Sequence, residues 1–282
     1  MHPASHLRAF LALVLCASAL PVAAQINPGF DPSTPIRLVY RVDFTPPHDA
    51  FNTGFTPSGT VGDLLSLTSG LPCNNANPQR PALVAMTTDR EQALRFARRY
   101  LEGLPWSGPG SRVYLFSIRA DGNYISVPGA FYSAMDAGRT ARAGYTPEHA
   151  NALEYLLYTR SILGERAVVA PRVSSRNIAN ATTLWLQDGA LREGDAPYPN
   201  PSYRHDPATA ATNIVPDAQL PALLPHDAIL SSEAGATGTC ALSCDRATSA
   251  SSFSAPDDEM DYTNVCSQSD AISPLLFDII ND

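Results

Sequence analysis

An arginine in the middle of an apolar strand pattern is the first residue of this chain that asks for a chemical explanation. Arg41 sits within Leu38-Val-Tyr-Arg-Val42, ahead of a break at Pro46-Pro47 and a short helical turn ending at Gly54. Burying a guanidinium without a partner is costly, so Arg41 either faces solvent from an edge strand or anchors an anion. The cysteines form a second chemical set. Beyond Cys16, which falls in the leader, there remain Cys73, Cys240, Cys244 and Cys266. An even number in an exported chain suits disulfides, with the connectivity open. Cys240 and Cys244 also have a spacing that a metal could use, but no histidine lies near them, and no metal is expected. His48, His149, His205 and His226 are scattered without ligand spacing and read as surface residues. There is no Gly-x-Ser-x-Gly elbow and no glycine-rich phosphate loop after a strand, which disfavours a serine hydrolase and the Rossmann and P-loop readings.

Composition narrows the class further. The chain has 282 residues, 44% of them apolar, and a net charge of -8. That balance, with no basic stripe, argues against a nucleic-acid partner. Arg8, the apolar run Phe10–Leu20 and the small residues Val22-Ala-Ala24 read as a signal peptide over residues 1–24, so the mature chain is expected to be secreted. The run is too short to span a membrane, and no later stretch approaches the required length. All 19 basic residues are arginine and none is lysine. A GC-rich genome lowers the lysine share but rarely to zero.

The elements that must position Arg41 follow from pattern. Strands are expected at 38–42, 82–86, 113–118, 124–127 and 167–173. Thr87-Thr88-Asp89 caps a helix in which Ala93, Leu94, Ala97 and Leu101 recur at helical spacing. Thr146-Pro-Glu148 opens another, expected to be short because Glu154–Tyr158 also suits a strand. Beyond about residue 180 the composition shifts to Pro, Ala, Ser and Thr and predicts a loop-rich extension with an apolar tail at 272–280. Strands and short helices intermix without regular βαβ alternation, so the class is α+β.

From Leu38 to Val173, five pieces in order resemble the catalytic subunits of pertussis and typhoid toxins. These are Tyr40-Arg-Val-Asp-Phe-Thr-Pro-Pro47; the spacing of Phe55, Gly59, Gly70 and Cys73; Leu83-Val-Ala-Met-Thr-Thr88; Ile118-Arg-Ala-Asp-Gly-Asn123; and Leu153-Glu-Tyr155 followed by Ser161-Ile-Leu-Gly-Glu165. The resemblance implies an ADP-ribosyltransferase fold of two small packed β-sheets with short helices and an NAD cleft, over residues 25–180. Residues 181–282 would form a loop-rich extension that assembles with a pentamer of receptor-binding subunits, the tail entering its pore or packing on its own core. It implies NAD as co-substrate, Arg41, Thr87 and Thr88 as NAD-binding residues, Glu154 as the catalytic carboxylate, and a disulfide from Cys73 to Cys240, Cys244 or Cys266. The partner would be a host acceptor protein, by resemblance a G protein. Lysine scarcity is a family trait that spares a chain crossing into a eukaryotic cytosol from ubiquitination.

The chemistry is consistent with these residue types. Cleaving the nicotinamide–ribose bond develops a cationic sugar, which a carboxylate stabilises. A pyrophosphate calls for a permanent cation with a planar donor fork. The chain departs from the family pattern at Ala85, Met86, Leu67 and Ala152. Ala152 stands where the family has a Gln or Glu that orients the acceptor, with Glu148 or Glu165 as possible substitutes. The alternatives to a transferase are therefore an NAD glycohydrolase or a catalytically impaired pseudoenzyme that serves as a binding or delivery module.

Overall fold

Alternation along β1 (Leu38–Asp43) decides how the molecule is layered. Val39, Arg41 and Asp43 share one face of the strand, and Tyr40 and Val42 the other. In the computed structural model, which describes residues 34–57, 59–60, 62–68, 82–103, 110–159 and 162–231 (backbone alone for Leu163 and Glu165), both faces are covered. On the Val42 side the 14-residue helix α3 (Arg90–Gly103) lays Ala93, Ala97 and Leu101 against Val113, Leu115 and Leu184. On the Val39 side, Phe116, Ile118, Val84, Met86, Val168 and Ile178 pack with Ala50 of the short helix α1 (Pro47–Thr53) and with Phe55 just after it.

The strands β2 (Val84–Thr87), β3 (Arg112–Arg119), β4 (Ile125–Ser126), β5 (Ala167–Ala170), β6 (Ile178–Gln187), β7 (Ala190–Glu193) and β8 (Tyr198–Pro199) join β1 in the order β4-β5-β2-β1-β3-β6-β7, with β8 on β6. Every pairing is antiparallel. The α+β class is as expected. Instead of two separate sheets, hydrogen bonding links the strands into one path, and β1 and β2 register at Tyr40 and Thr87 alone. Two sub-sheets thus meet at that seam.

A bundle of helices closes the β4–β5 side: α4 (Val127–Arg139), α5 (Pro147–Thr159), α6 (Ile162–Glu165), α7 (Leu220–Leu223) and α8 (His226–Ser231), with the small helix α2 (Leu64–Thr68) earlier in the chain. Ser126 caps α4, its hydroxyl accepting from the Gly129 amide at 3.0 Å. Gly138 is needed there because a Cβ would meet the Thr146 carbonyl oxygen at 2.6 Å, where α4 and α5 approach. The expected short helix at 147 runs unbroken to Thr159, since Ala150, Leu153, Leu156 and Leu157 form one buried stripe.

The boundary expected at 180/181 falls inside β6. Residues up to Pro199 are sheet, and 200–215 strap back across the body through the Ile36–Ala211 bridge and an Asn213 side-chain bond to the Thr34 carbonyl. Ala, Asn and Thr dominate the start of β6, and its strand character comes from pairing with β3 and β7 on either side. The signal segment, Cys73, Cys240, Cys244, Cys266 and the tail 272–280 lie outside the described residues. No helix among the described residues is long and apolar enough to cross a membrane.

Candidate functional site

Arg41 and Asp43 are two apart in a strand, so both side chains leave the same face. Both are buried, at 6% and 0% exposure. Asp43 Oδ2 accepts from Arg41 Nε at 3.0 Å and from Nη2 at 2.6 Å. Its other oxygen accepts the Thr45 amide at 2.9 Å and the Thr45 hydroxyl at 2.7 Å. Arg41 Nη1 donates to the Ala85 carbonyl at 3.0 Å, reaching across the seam from β1 to β2. The Phe55 ring lies over the guanidinium, with its centroid 4.9 Å from Cζ. Phe55 is fixed in turn by a two-way backbone bridge to Val173 and by edge contact with Phe116.

Thr87 and Thr88 end β2. Thr87 pairs with Tyr40 on one side and Ala167 on the other, and its hydroxyl accepts from the Asp89 amide at 3.1 Å. Asp89, rather than either threonine, caps α3 by accepting the Glu91 and Gln92 amides. The Thr88 amide donates to the Arg166 carbonyl at 3.1 Å, so the residues just ahead of β5 lie beside the threonine pair. Arg166 has a φ of 46°, a left-handed turn between the end of α6 and the strand. Glu165, the last residue of α6, is carried by its backbone to this same end of β2.

The structure therefore brings the backbones of Arg41, Thr87 and Thr88 to one seam, with Thr87 in register with Tyr40 and so on the strand face opposite Arg41. Glu154 belongs to a different set of elements. It lies on α5, whose principal neighbours are α4, α6 and α8, and it accepts from Arg139 Nη2 of α4 at 3.1 Å. Residues two apart on a helix do not share a face. Accordingly Ala152 is 1% exposed while the Glu154 side chain is 35% exposed. Near Glu154, burial raises the Tyr132 phenol pKa, with smaller contributions from Tyr158 and Glu154.

Three of the departures from the family pattern, Met86, Leu67 and Ala152, are buried apolar residues. Met86 belongs to the core on the Arg41 face, and Leu67 is buried on α2. Two histidines expected at the surface are not there as free groups. The ring of His149, which is 8% exposed, lies 5.5 Å from that of His226, and Tyr145 meets both edge-on. The reason is that the helices of the extension cover the α4–α5 turn. His48 and His205 are exposed. Asp43 and Phe55 were missed as site residues, although Arg-x-Asp in a strand signals a same-face pair. Among the described residues, no group of three or more His, Cys, Asp or Glu is arranged to hold a metal ion.

Comparison with known proteins bears on this arrangement. The family model "Pertussis toxin, subunit 1" matches residues 34–257. The chain is 26% identical over 204 residues to a pertussis toxin subunit 1 homolog of Bordetella parapertussis, covering 69% of this chain and 70% of the relative. It is 26% identical over 200 residues to pertussis toxin subunit 1 of Bordetella pertussis, covering 67% and 71%. Among solved structures, a nicked CARDS toxin aligns with a TM-score of 0.49 at 21% identity over 64% of this chain and 33% of that one. The chain belongs to the pertussis toxin subunit 1 family and to the class of ADP-ribosyltransferase toxins.

Proposed function

We propose that this chain is the secreted enzymatic subunit of a toxin, cleaving NAD at the nicotinamide–ribose bond and transferring ADP-ribose to a host protein. The observation that carries the reading is the buried Arg41, clamped by Asp43 and the Ala85 carbonyl beneath Phe55, in a chain of this family. Because Asp43 neutralises it, Arg41 acts through the direction of its N–H groups rather than through net charge. Thr87 and Thr88 hold the end of β2 beside it.

The carboxylate of the reaction is assigned to Glu165 rather than Glu154. Glu165 directly precedes the turn that hydrogen-bonds to Thr88, whereas Glu154 is engaged with Arg139 on the helical bundle. A carboxylate there would stabilise the cationic sugar as the glycosidic bond breaks. Signal-directed export over 1–24, a disulfide from Cys73, and association of the C-terminal region with receptor-binding subunits belong to the same proposal.

A second reading, glycohydrolase or pseudoenzyme, is favoured by the arginine at 166 beside Thr88 and by Met86 in the core. The test is NAD consumption and label transfer from radiolabelled NAD by the purified mature chain. Glu165→Gln is expected to lower NAD cleavage by about 100-fold or more, with Glu154→Gln close to the parent. The reverse order would restore Glu154. Cleavage without any transfer would favour the glycohydrolase, and no cleavage at all the pseudoenzyme.

A further inference from the structure

Several arginines of the body have acidic partners: Arg90 with Glu193, Arg98 with Glu102, Arg139 with Glu154, Arg142 with Asp136 and Asp217. Arg99, Arg166 and Arg192 are exposed without such a partner, each on a separate element or turn, and so are Arg172, Arg176 and Arg204. The side chains of these last three make no hydrogen bond or ion pair among the described residues. They also belong to one patch of backbone. The Arg204 amide donates to the Arg176 carbonyl at 3.0 Å, and Arg172 adjoins Val173, which bridges to Phe55. The buried Asn200 makes the patch firm, its amide donating to the Ser175 and Ile178 carbonyls at 2.7 Å each. The acids near the patch are otherwise placed: Asp121 accepts from the Asn177 side chain at 2.8 Å, Asp206 caps the Ala208 amide, and Asp49 is an exposed residue of α1.

An unneutralised trio of guanidinium groups on a chain of net charge -8 is a local reversal of sign. It does nothing for folding, since like charges repel. Complementary charge does govern which partner approaches and how it registers. Tyr198, on β8 and 52% exposed, comes two residues before Asn200, whose side chain ties β8 to the Ser175 and Ile178 carbonyls. Arginine and tyrosine together are the residues enriched where protein partners bind.

We propose that Arg172, Arg176, Arg204 and Tyr198 form a docking surface for a carboxylate-rich segment of a partner protein. Resting on the function proposed above, that partner is the acceptor, held at the rim of the site because Phe55 joins this patch to Arg41. Recognition at the patch is separate from NAD cleavage, so the two are tested apart.

The experiment measures binding of a fluorescein-labelled poly-glutamate peptide to the purified mature chain at low and at physiological salt, with phosphatidylserine vesicles as a second probe. The parent is expected to bind the peptide, more weakly as salt rises. Arg176→Gln with Arg204→Gln is expected to weaken binding about tenfold, and Arg172→Gln, a single change at the end of the patch, to weaken it less. Arg99→Gln with Arg192→Gln is the control and leaves binding unchanged. NAD cleavage, if present in the parent, stays at the parent level in all of them. No peptide binding at low salt, or equal binding by parent and double variant, overturns the proposal. So does vesicle binding lost in the double variant with the peptide ignored, which would make the patch a membrane contact. Loss of NAD cleavage in the parent would count against the enzyme reading and not against the docking surface.

Discussion

Two arginine–carboxylate pairs in this molecule obey opposite rules. Arg41 and Asp43 are 2.6 Å apart and almost wholly buried, and every oxygen of the carboxylate is used. Arg139 and Glu154 are 3.1 Å apart, with side chains 56% and 35% exposed. Water screens the second pair, and such pairs contribute roughly 0–1 kcal/mol. Within the first, each ion has given up its hydration and depends on the other, so removing one partner costs about 3–5 kcal/mol. The lesson concerns function as well as stability. A charge held at that cost is committed to one geometry, whereas Glu154 can exchange its Arg139 partner for water at little cost.

The comparison breaks most readily at Asp43. Asp43→Ala is expected to lose about 3–5 kcal/mol in urea unfolding, and Arg41→Met with Asp43→Leu to lose less than either single change. A loss under about 1 kcal/mol from Asp43→Ala would mean that the pair is as dispensable as an exposed one.

The next effect applies the same inside–outside contrast to phenols. Burial raises Tyr124 from 10.0 to about 12, opposed in part by its hydrogen bond with Asn177, and burial raises Tyr145 as well. The neutral forms are favoured by the fold, so their stability contribution is complete below pH 10 and is lost as pH rises through about 12. Alkaline unfolding should steepen in that window and flatten in Tyr145→Phe, which also loses the bond to the Leu224 carbonyl. An unchanged alkaline limb in the variant would remove Tyr145 from the account.

The smallest effect is expected at the exposed pair. Arg139→Ala should change stability by less than about 0.5 kcal/mol, with most of that change gone in high salt. A larger, salt-insensitive loss would show that the α4–α5 surface is more than a solvated face.

Much of the seam was legible in the sequence. Arg41 stands out because a cation interrupts an apolar alternation, and the strand–cap–helix order from Val84 to Leu101 is carried by strong periodicity. The setting of Glu154 was less legible. Leu153-Glu-Tyr155 looks like a strand motif when read locally, but the leucine stripe at 153, 156 and 157 commits the whole segment to a helix, and that decides which way Glu154 faces. Similarly, β6 and α4 escaped because small residues hide their periods. β6 is defined by partners on both sides, and α4 by Ala130, Ala134, Ala137 and Gly138, whose burial comes from close helix approach rather than bulk.

The join at Tyr40 and Thr87 carries a consequence for how the molecule opens. A ladder of many rungs resists separation along its whole length, but here one backbone register and the Arg41 bond to Ala85 share the strain. Parting the two halves of the sheet therefore asks one backbone register and the Arg41 side chain to give together. Amide exchange should place that parting earlier than the fraying of β3 from β6, which are paired from Arg112 to Ile118. The residue that marks the site in the sequence would then also be the clasp that sets how wide the site can stand open.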